Sequence, residues 1–250
     1  MFLRFDNVAH TYADSGTVLD IPELTIEEGS FVALIGSSGC GKSTFLRLLS
    51  SLERPSTGTV HIAGAPADGT PDSLAMVFQE PALLPWLTVE NNIALPFRLT
   101  GKKRSERRKA AERGARRVGL ADALSLYPNQ LSGGMKMRVS LARALATEPR
   151  LVLLDEPFAA LDEITRNSLN EDLSLLHHRN RWTTVLVTHS VHEAAFLADR
   201  ILVLSPRPGR IAADLSNPAP QPRPAAYRED SSCLKTVTAL HRKLREHAFA

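Results

Sequence analysis

Cysteine is scarce. The 250-residue chain has only Cys40 and Cys233, too few for a disulfide framework, so a reduced, cytosolic setting is expected. Long apolar runs are missing as well: none approaches the ~20 residues that a membrane-spanning helix requires. Met1-Phe2-Leu3-Arg4-Phe5-Asp6 lacks a basic segment followed by a long apolar one, so no secretory signal is read there. Strong charge of one sign is also absent. Thirty Lys and Arg against 27 Asp and Glu leave a net +3, too mild to indicate a nucleic-acid partner. Apolar content of 43% with 23% charged residues excludes disordered and fibrous classes. The length suits one domain, or one domain with a lobe, around a substantial core. If such a chain serves a membrane, it does so by docking to another chain.

What is present is a phosphate-binding loop. Gly36-Ser37-Ser38-Gly39-Cys40-Gly41-Lys42-Ser43, with Thr44 next, fits G-x-x-x-x-G-K-[ST]. It directly follows the apolar run Phe31–Ile35 and precedes a helical pattern over 44–50. That order matters, because a helix start offers unpaired N–H groups and a positive dipole end to a phosphate. Lys42 is expected to reach the outer phosphates and Ser43 to give an oxygen to Mg²⁺. A glycine turn with an incidental lysine is the bland alternative.

The chain then alternates strand and helix patterns, which implies a parallel sheet with helices on its faces. Strands are expected over 2–8, 18–26, 31–35, 60–62, 74–78, 151–154, 183–187 and 201–204, with Asp14-Ser15-Gly16 a turn. The texture is helical over 85–145. Helices are expected over 166–178 and 192–198. Alternating Pro218, Pro220, Pro222 and Pro224 favour an extended linker. A short terminal helix follows, with Leu234, Val237, Leu240 and Leu244 as its stripe.

Two further features bear on chemistry. Four apolar residues, Leu151–Leu154, deliver Asp155 and Glu156 to a strand end, the edge where open α/β sheets bind ligands. Magnesium takes one or two carboxylates beside phosphate oxygens, so Asp155 is assigned to the metal and Glu156 to an attacking water as general base. Read alone, the pair would be a solvated turn. The other feature is Leu131-Ser132-Gly133-Gly134-Met135 opening a long helix, a second anion-binding helix start. Gln79 and His189 each end a strand, and both residue types are more often structural in such places. Tyr12 is a loop aromatic able to stack on a base.

Taken in order, Tyr12, the phosphate loop, Gln79, Leu131-Ser132-Gly133-Gly134, Leu151–Glu156, Ala160-Leu161-Asp162 and His189 resemble the motifs of an ABC transporter nucleotide-binding subunit. These are its adenine-stacking aromatic, Walker A, Q-loop, signature, Walker B, D-loop and switch histidine. The resemblance covers about residues 1–210. It implies an α/β P-loop NTPase with a RecA-like core, an N-terminal antiparallel β subdomain and a helical signature subdomain at about 85–145. The domain would span 1–215, followed by a linker and helix over 216–250. It also implies Mg²⁺ and ATP held at a head-to-tail dimer interface. Lys42, Ser43 and Thr44 hold phosphates and metal there, and Gln79 senses Mg²⁺ and water. Ser132, Gly133 and Gly134 meet the γ-phosphate of the second copy, Asp162 links the sites, and His189 contacts the γ-phosphate.

The implied partners are a second copy, separate membrane permease subunits and, indirectly, a periplasmic or extracellular solute-binding protein. The location is the cytoplasmic face of the cell membrane. Segments 77–88, 161–166 and 205–210, with Met135 where the superfamily has Gln, look like the nitrate/sulfonate/taurine importer branch. Leu84 and Trp86 would then line a groove for a permease helix, with Leu83 in a buried cluster.

Other classes compete. Nine Lys or Arg at 102–117 against Glu106 and Glu112 could follow a nucleic-acid backbone, sit on anionic lipid, or form a solvated helix face. Only 87 residues separate Thr44 from Ser132, too few for the coiled coil of DNA-repair relatives, and there is one Walker A, so no nucleic-acid partner is expected. A P-loop switch or kinase gives Ser132–Gly134 and Asp162 no task. An exporter ATPase is the remaining alternative.

Overall fold

The structure is a computed structural model describing residues 1–14, 16–67 and 73–247; Ser15 of the expected turn lies outside them. β1 (Leu3–Tyr12) and β2 (Gly16–Ile26) pair antiparallel, with β1 running past its expected end at Val8. β3 (Phe31–Ile35) leaves this layer, passes through the phosphate loop and enters α1 (Lys42–Leu49). β4 (Thr57–Ile62) and a two-residue β5 (Ala65–Pro66) return to it, giving a four-stranded sheet of order β2-β1-β4-β5.

The central sheet has six strands in the order β10-β9-β3-β8-β7-β6. They are β6 (Leu74–Val77), β7 (Leu151–Asp155), β8 (Thr183–Val187), β9 (Arg200–Leu204) and β10 (Ile211–Ser216) with β3. All neighbours are parallel except β10, which runs antiparallel to β9. The continuous apolar runs of β3 and β7 follow from burial on both faces, and β8 is fully buried as well. Phe31, Ala33 and Ile35 point into one core with Val152 and Leu154. Val32 and Leu34 point into the other with Leu151, Leu153 and the N-terminal sheet. β10 was not expected; its half-exposed Ala-Ala-Asp centre carries little strand signal.

The helical stretch resolves into α2 (Val89–Ile93), α3 (Leu95–Leu99), α4 (Arg104–Arg117) and α5 (Gly133–Leu145). α4 buries only Ala110, Ala111, Gly114 and Ala115, small residues that let it lie close against α2 and α5. α6 (Glu163–Asn180) starts three residues before the expected Arg166, because the Asp162 carboxylate caps it. α7 (Val191–Leu197) and α8 (Ser231–His247) complete the chain.

The tail differs from the expectation of an extended linker. Arg223 is 2% exposed, and its guanidinium donates to the carbonyls of Ala195, Phe196, Ala198 and Asn217. Asn217 Nδ2 donates to Ala195 and Ala198 as well, at 2.9 and 2.8 Å. The last carbonyls of a helix lack partners within it, and cationic donors suit that end, so the prolines route a clamp over the end of α7. α8 then packs on α7 and β9. Its buried stripe is Cys233, Val237 and Leu240, while the expected Leu234 faces solvent.

Candidate active site

The phosphate loop leaves β3 and turns into α1 at Gly41, whose φ of 107° is open to glycine. A Cβ there would also meet the Val18 carbonyl at 3.0 Å. Lys42 Nζ donates to the carbonyls of Gly36 and Ser37 at 3.0 and 2.9 Å. An ammonium carries three donors, so one is left for a ligand. A cleft of about 260 Å³ lies over Ser38, Gly39 and Gly41–Thr44, flanked by Tyr12 and Val18 and closed by Arg47, Glu156 and Arg207. Tyr12 is held by its hydroxyl, which donates to Glu53 and lies 3.4 Å from Thr44 Oγ1. Gly36, Ser37 and Cys40 do not line this cleft. Cys40 is buried in the apolar core, and burial pushes its thiol pKa up. Gly36 has to be small because a Cβ there would come within 2.8 Å of Cys40 Sγ.

Asp155 ends β7 near Ser43, whose hydroxyl slightly favours the charged carboxylate. Burial raises its pKa first, and the neighbouring Glu156 charge adds to that. Glu156 adopts a left-handed backbone with φ of 46°, a conformation costing on the order of 1–3 kcal/mol for a residue other than glycine. Two contacts fix it. Its N–H donates to the Val187 carbonyl at 2.9 Å, and Oε2 lies 3.1 Å from His189 Nδ1. The ends of β7 and β8 thus deliver an acid and a histidine together, above the loop from β3.

Ser132, Gly133, Gly134, Gln79 and Asp162 lie apart from that cleft. Ser132 Oγ caps α5 by accepting the Met135 N–H at 3.3 Å, and the Met135 side chain packs on the core. Gly134 abuts α6: a Cβ there would fall 2.5 Å from Thr165 Cγ2. Asp162 accepts the Thr165 N–H at 2.9 Å, which lowers its pKa. The structure therefore sets the starts of α5 and α6 side by side. Gln79 is exposed just past β6, which ends at Val77 rather than Phe78.

The model of the family described as ABC transporter matches residues 19–159, more than half of the chain. The chain belongs to the ABC transporter family. It is similar to the bicarbonate transport ATP-binding protein CmpC of Synechococcus elongatus, 44% identical over 89% of this chain and 35% of CmpC. The chain thus spans about a third of the length of CmpC. It is also similar to the taurine import ATP-binding protein TauB of Sinorhizobium fredii, 46% identical over 79% of this chain and 74% of TauB. Among solved structures, a dimeric post-hydrolysis state of the ATP-binding cassette MJ0796 bound to ADP and Pi superposes with a TM-score of 0.74. It is 33% identical, over 86% of this chain and 98% of that one.

Three features of this ABC cassette were not among the sequence expectations. Arg47 lies one turn beyond Ser43 and could have been read from helical spacing; Arg207 comes from the loop between β9 and β10 and Val18 from β2. Arg143 of α5 donates to the Pro81 and Ala82 carbonyls at 2.9 and 2.8 Å, tying the segment after Gln79 to the signature helix. Fully buried Asn92 receives the Leu84 N–H and donates to the carbonyls of Leu84, Leu87 and Thr88. This clamp leaves Trp86, 69% exposed, at the tip of a fixed loop. Leu83 packs against the core, as its sequence reading expected.

Proposed function

We propose that this chain binds and hydrolyses ATP to power a membrane importer for a small anion or organic compound of the nitrate, sulfonate or taurine type. The observation that carries the reading is the convergence, over one phosphate loop, of the Ser43–Asp155 and Glu156–His189 pairs. Similarity to TauB and CmpC, whose names specify taurine import and bicarbonate transport, supports the cargo class.

The donor set fits Mg²⁺: a hydroxyl and a half-buried carboxylate are hard oxygen ligands that leave positions for phosphate and water. Asp155 suits it further, because burial and the Glu156 charge raise its pKa despite Arg47 and Lys42, and a bound cation would favour its charged form. When bound, the ion polarises the phosphate oxygens and offsets their charge. The loop N–H groups and the free Lys42 donor hold the polyphosphate. Glu156 accepts the proton of the attacking water, and His189 fixes the carboxylate rotamer and faces the γ-phosphate. Gln79 contributes from the neighbouring strand end. Ser132, Gly133 and Gly134 serve the nucleotide of a second copy, and Asp162 of each chain joins the two sites. The dimeric MJ0796 cassette supports the pairing of two copies.

Among the described residues no helix is long and apolar enough to cross a membrane, so energy passes to separate permease subunits. The Trp86 loop is the contact: an exposed aromatic on a fixed loop is an anchor for a helix in a groove. A solute-binding protein on the far side completes the importer. Trp86→Ala is expected to abolish ATP-driven taurine or bicarbonate uptake in proteoliposomes while leaving the ATPase rate of the isolated chain within about twofold. Uptake at the wild-type rate would overturn the docking assignment.

A further inference from the structure

The nucleotide site and the Trp86 loop leave the basic stretch without a task. Residues 102–117 carry net +7 in a chain of net +3, so the remaining residues sum to −4. The positive pole of the molecule is therefore one helix and the turn before it. Elsewhere several arginines are matched by carboxylates: Arg150 with Glu28, Arg200 with Asp214, Arg210 with Asp20 and Arg228 with Glu171, each at 2.6 Å. On α4, among the described residues, only Arg108 and Arg117 have such partners, Glu112 and Glu148. Among the described residues Lys102, Lys103, Arg104, Lys109, Arg113 and Arg116 are exposed and form no ion pair.

Helical geometry concentrates these cations. Lys109, Arg113 and Arg116 stand at i, i+4 and i+7, one stripe, directly opposite the buried Ala110, Ala111, Gly114 and Ala115. Like charges at such spacing repel and destabilise a helix that serves only as a solvated face. An anionic partner removes that cost. The stretch has no aromatic side chain on which a base could stack. What adjoins it is apolar: Leu99, at the end of α3, is 79% exposed. Long basic side chains that follow an exposed aliphatic one in the chain suit a headgroup layer, where the stems lie in the apolar boundary and the charges reach phosphate.

We propose that the α4 face, with Lys102–Arg104 and Leu99, is a docking surface for anionic phospholipid headgroups, separate from the permease contact at Trp86. Clusters of this size gain roughly a factor of five per basic residue near an anionic bilayer, screened by salt.

The full chain should cosediment with vesicles that are one-third phosphatidylglycerol in phosphatidylcholine, and not with phosphatidylcholine alone. Raising the salt should release it. The variant Lys109→Gln/Arg113→Gln/Arg116→Gln should lose roughly a hundredfold in vesicle affinity with its ATPase rate unchanged. Removing the same charge elsewhere, by Lys235→Gln/Arg242→Gln/Arg245→Gln on α8, should leave vesicle binding intact. Equal binding to both vesicle types would overturn the proposal, as would equal loss in both triple variants or no binding at all. Tighter binding to duplex DNA than to anionic vesicles at the same salt would instead assign the surface to nucleic acid. None of these outcomes touches the permease reading, which is tested by uptake.

Discussion

His189 Nδ1 sits 3.1 Å from Glu156 Oε2, joining the ends of two neighbouring parallel strands. Each side chain alone sits in a commonplace position after a strand. Together, above the phosphate loop, they form an acid oriented by a histidine.

Replacing the acid tests its role. Glu156→Gln keeps shape and length but cannot take a proton, so the steady-state ATPase rate should fall by about 10²–10⁴-fold. With Mg-ATP the variant should sediment as a dimer, because closure persists when hydrolysis stops. A wild-type rate would show that the base is another group.

Gly134 has a steric reason to be glycine: a Cβ would lie 2.5 Å from Thr165 Cγ2. Gly134→Ala should therefore cost about 1–3 kcal/mol of unfolding free energy. Adding Thr165→Ser removes the clashing methyl while keeping the backbone N–H that Asp162 accepts, and should recover most of the loss. Denaturant titration of both variants measures this. A double variant no more stable than Gly134→Ala would contradict the steric account.

Arg223 is the tail's attachment point. Arg223→Met keeps much of the volume but strips the Ala195, Phe196 and Ala198 carbonyls of a charged donor. Hydrogen bonds to charged groups contribute about 1.5–3 kcal/mol, so a destabilisation of about 3 kcal/mol is expected by urea unfolding. Proteolysis should then cut first within 217–230.

Glu193 supplies a pH test. Burial raises its carboxyl pKa, and the Thr188 hydroxyl at 2.6 Å with Arg166 at 3.7 Å only partly offsets this. A carboxyl with a raised folded-state pKa favours the fold below its unfolded pKa and loses that contribution as pH rises through the folded value. Glu193→Gln should thus melt above the wild type at pH 8, with the difference shrinking toward about pH 4. A pH-independent difference would rule out titration of Glu193 as its source.

The sequence alone determined what short-range backbone geometry determines. The strand–loop–helix of 31–50 was legible because a phosphate loop needs its glycines, lysine and hydroxyl within eight consecutive residues. The apolar runs Phe31–Ile35 of β3 and Leu151–Leu154 of β7 were legible because burial on both faces favours apolar residues at every position. Only the tertiary structure decided what depends on distant partners. It put Arg207 over the cleft, set Gly134 against Thr165, and turned a proline-rich tail into a clamp through one buried arginine. Those contacts join residues far apart in the chain. Their cause is the unpaired carbonyls and close packing of the folded state, which no local pattern records.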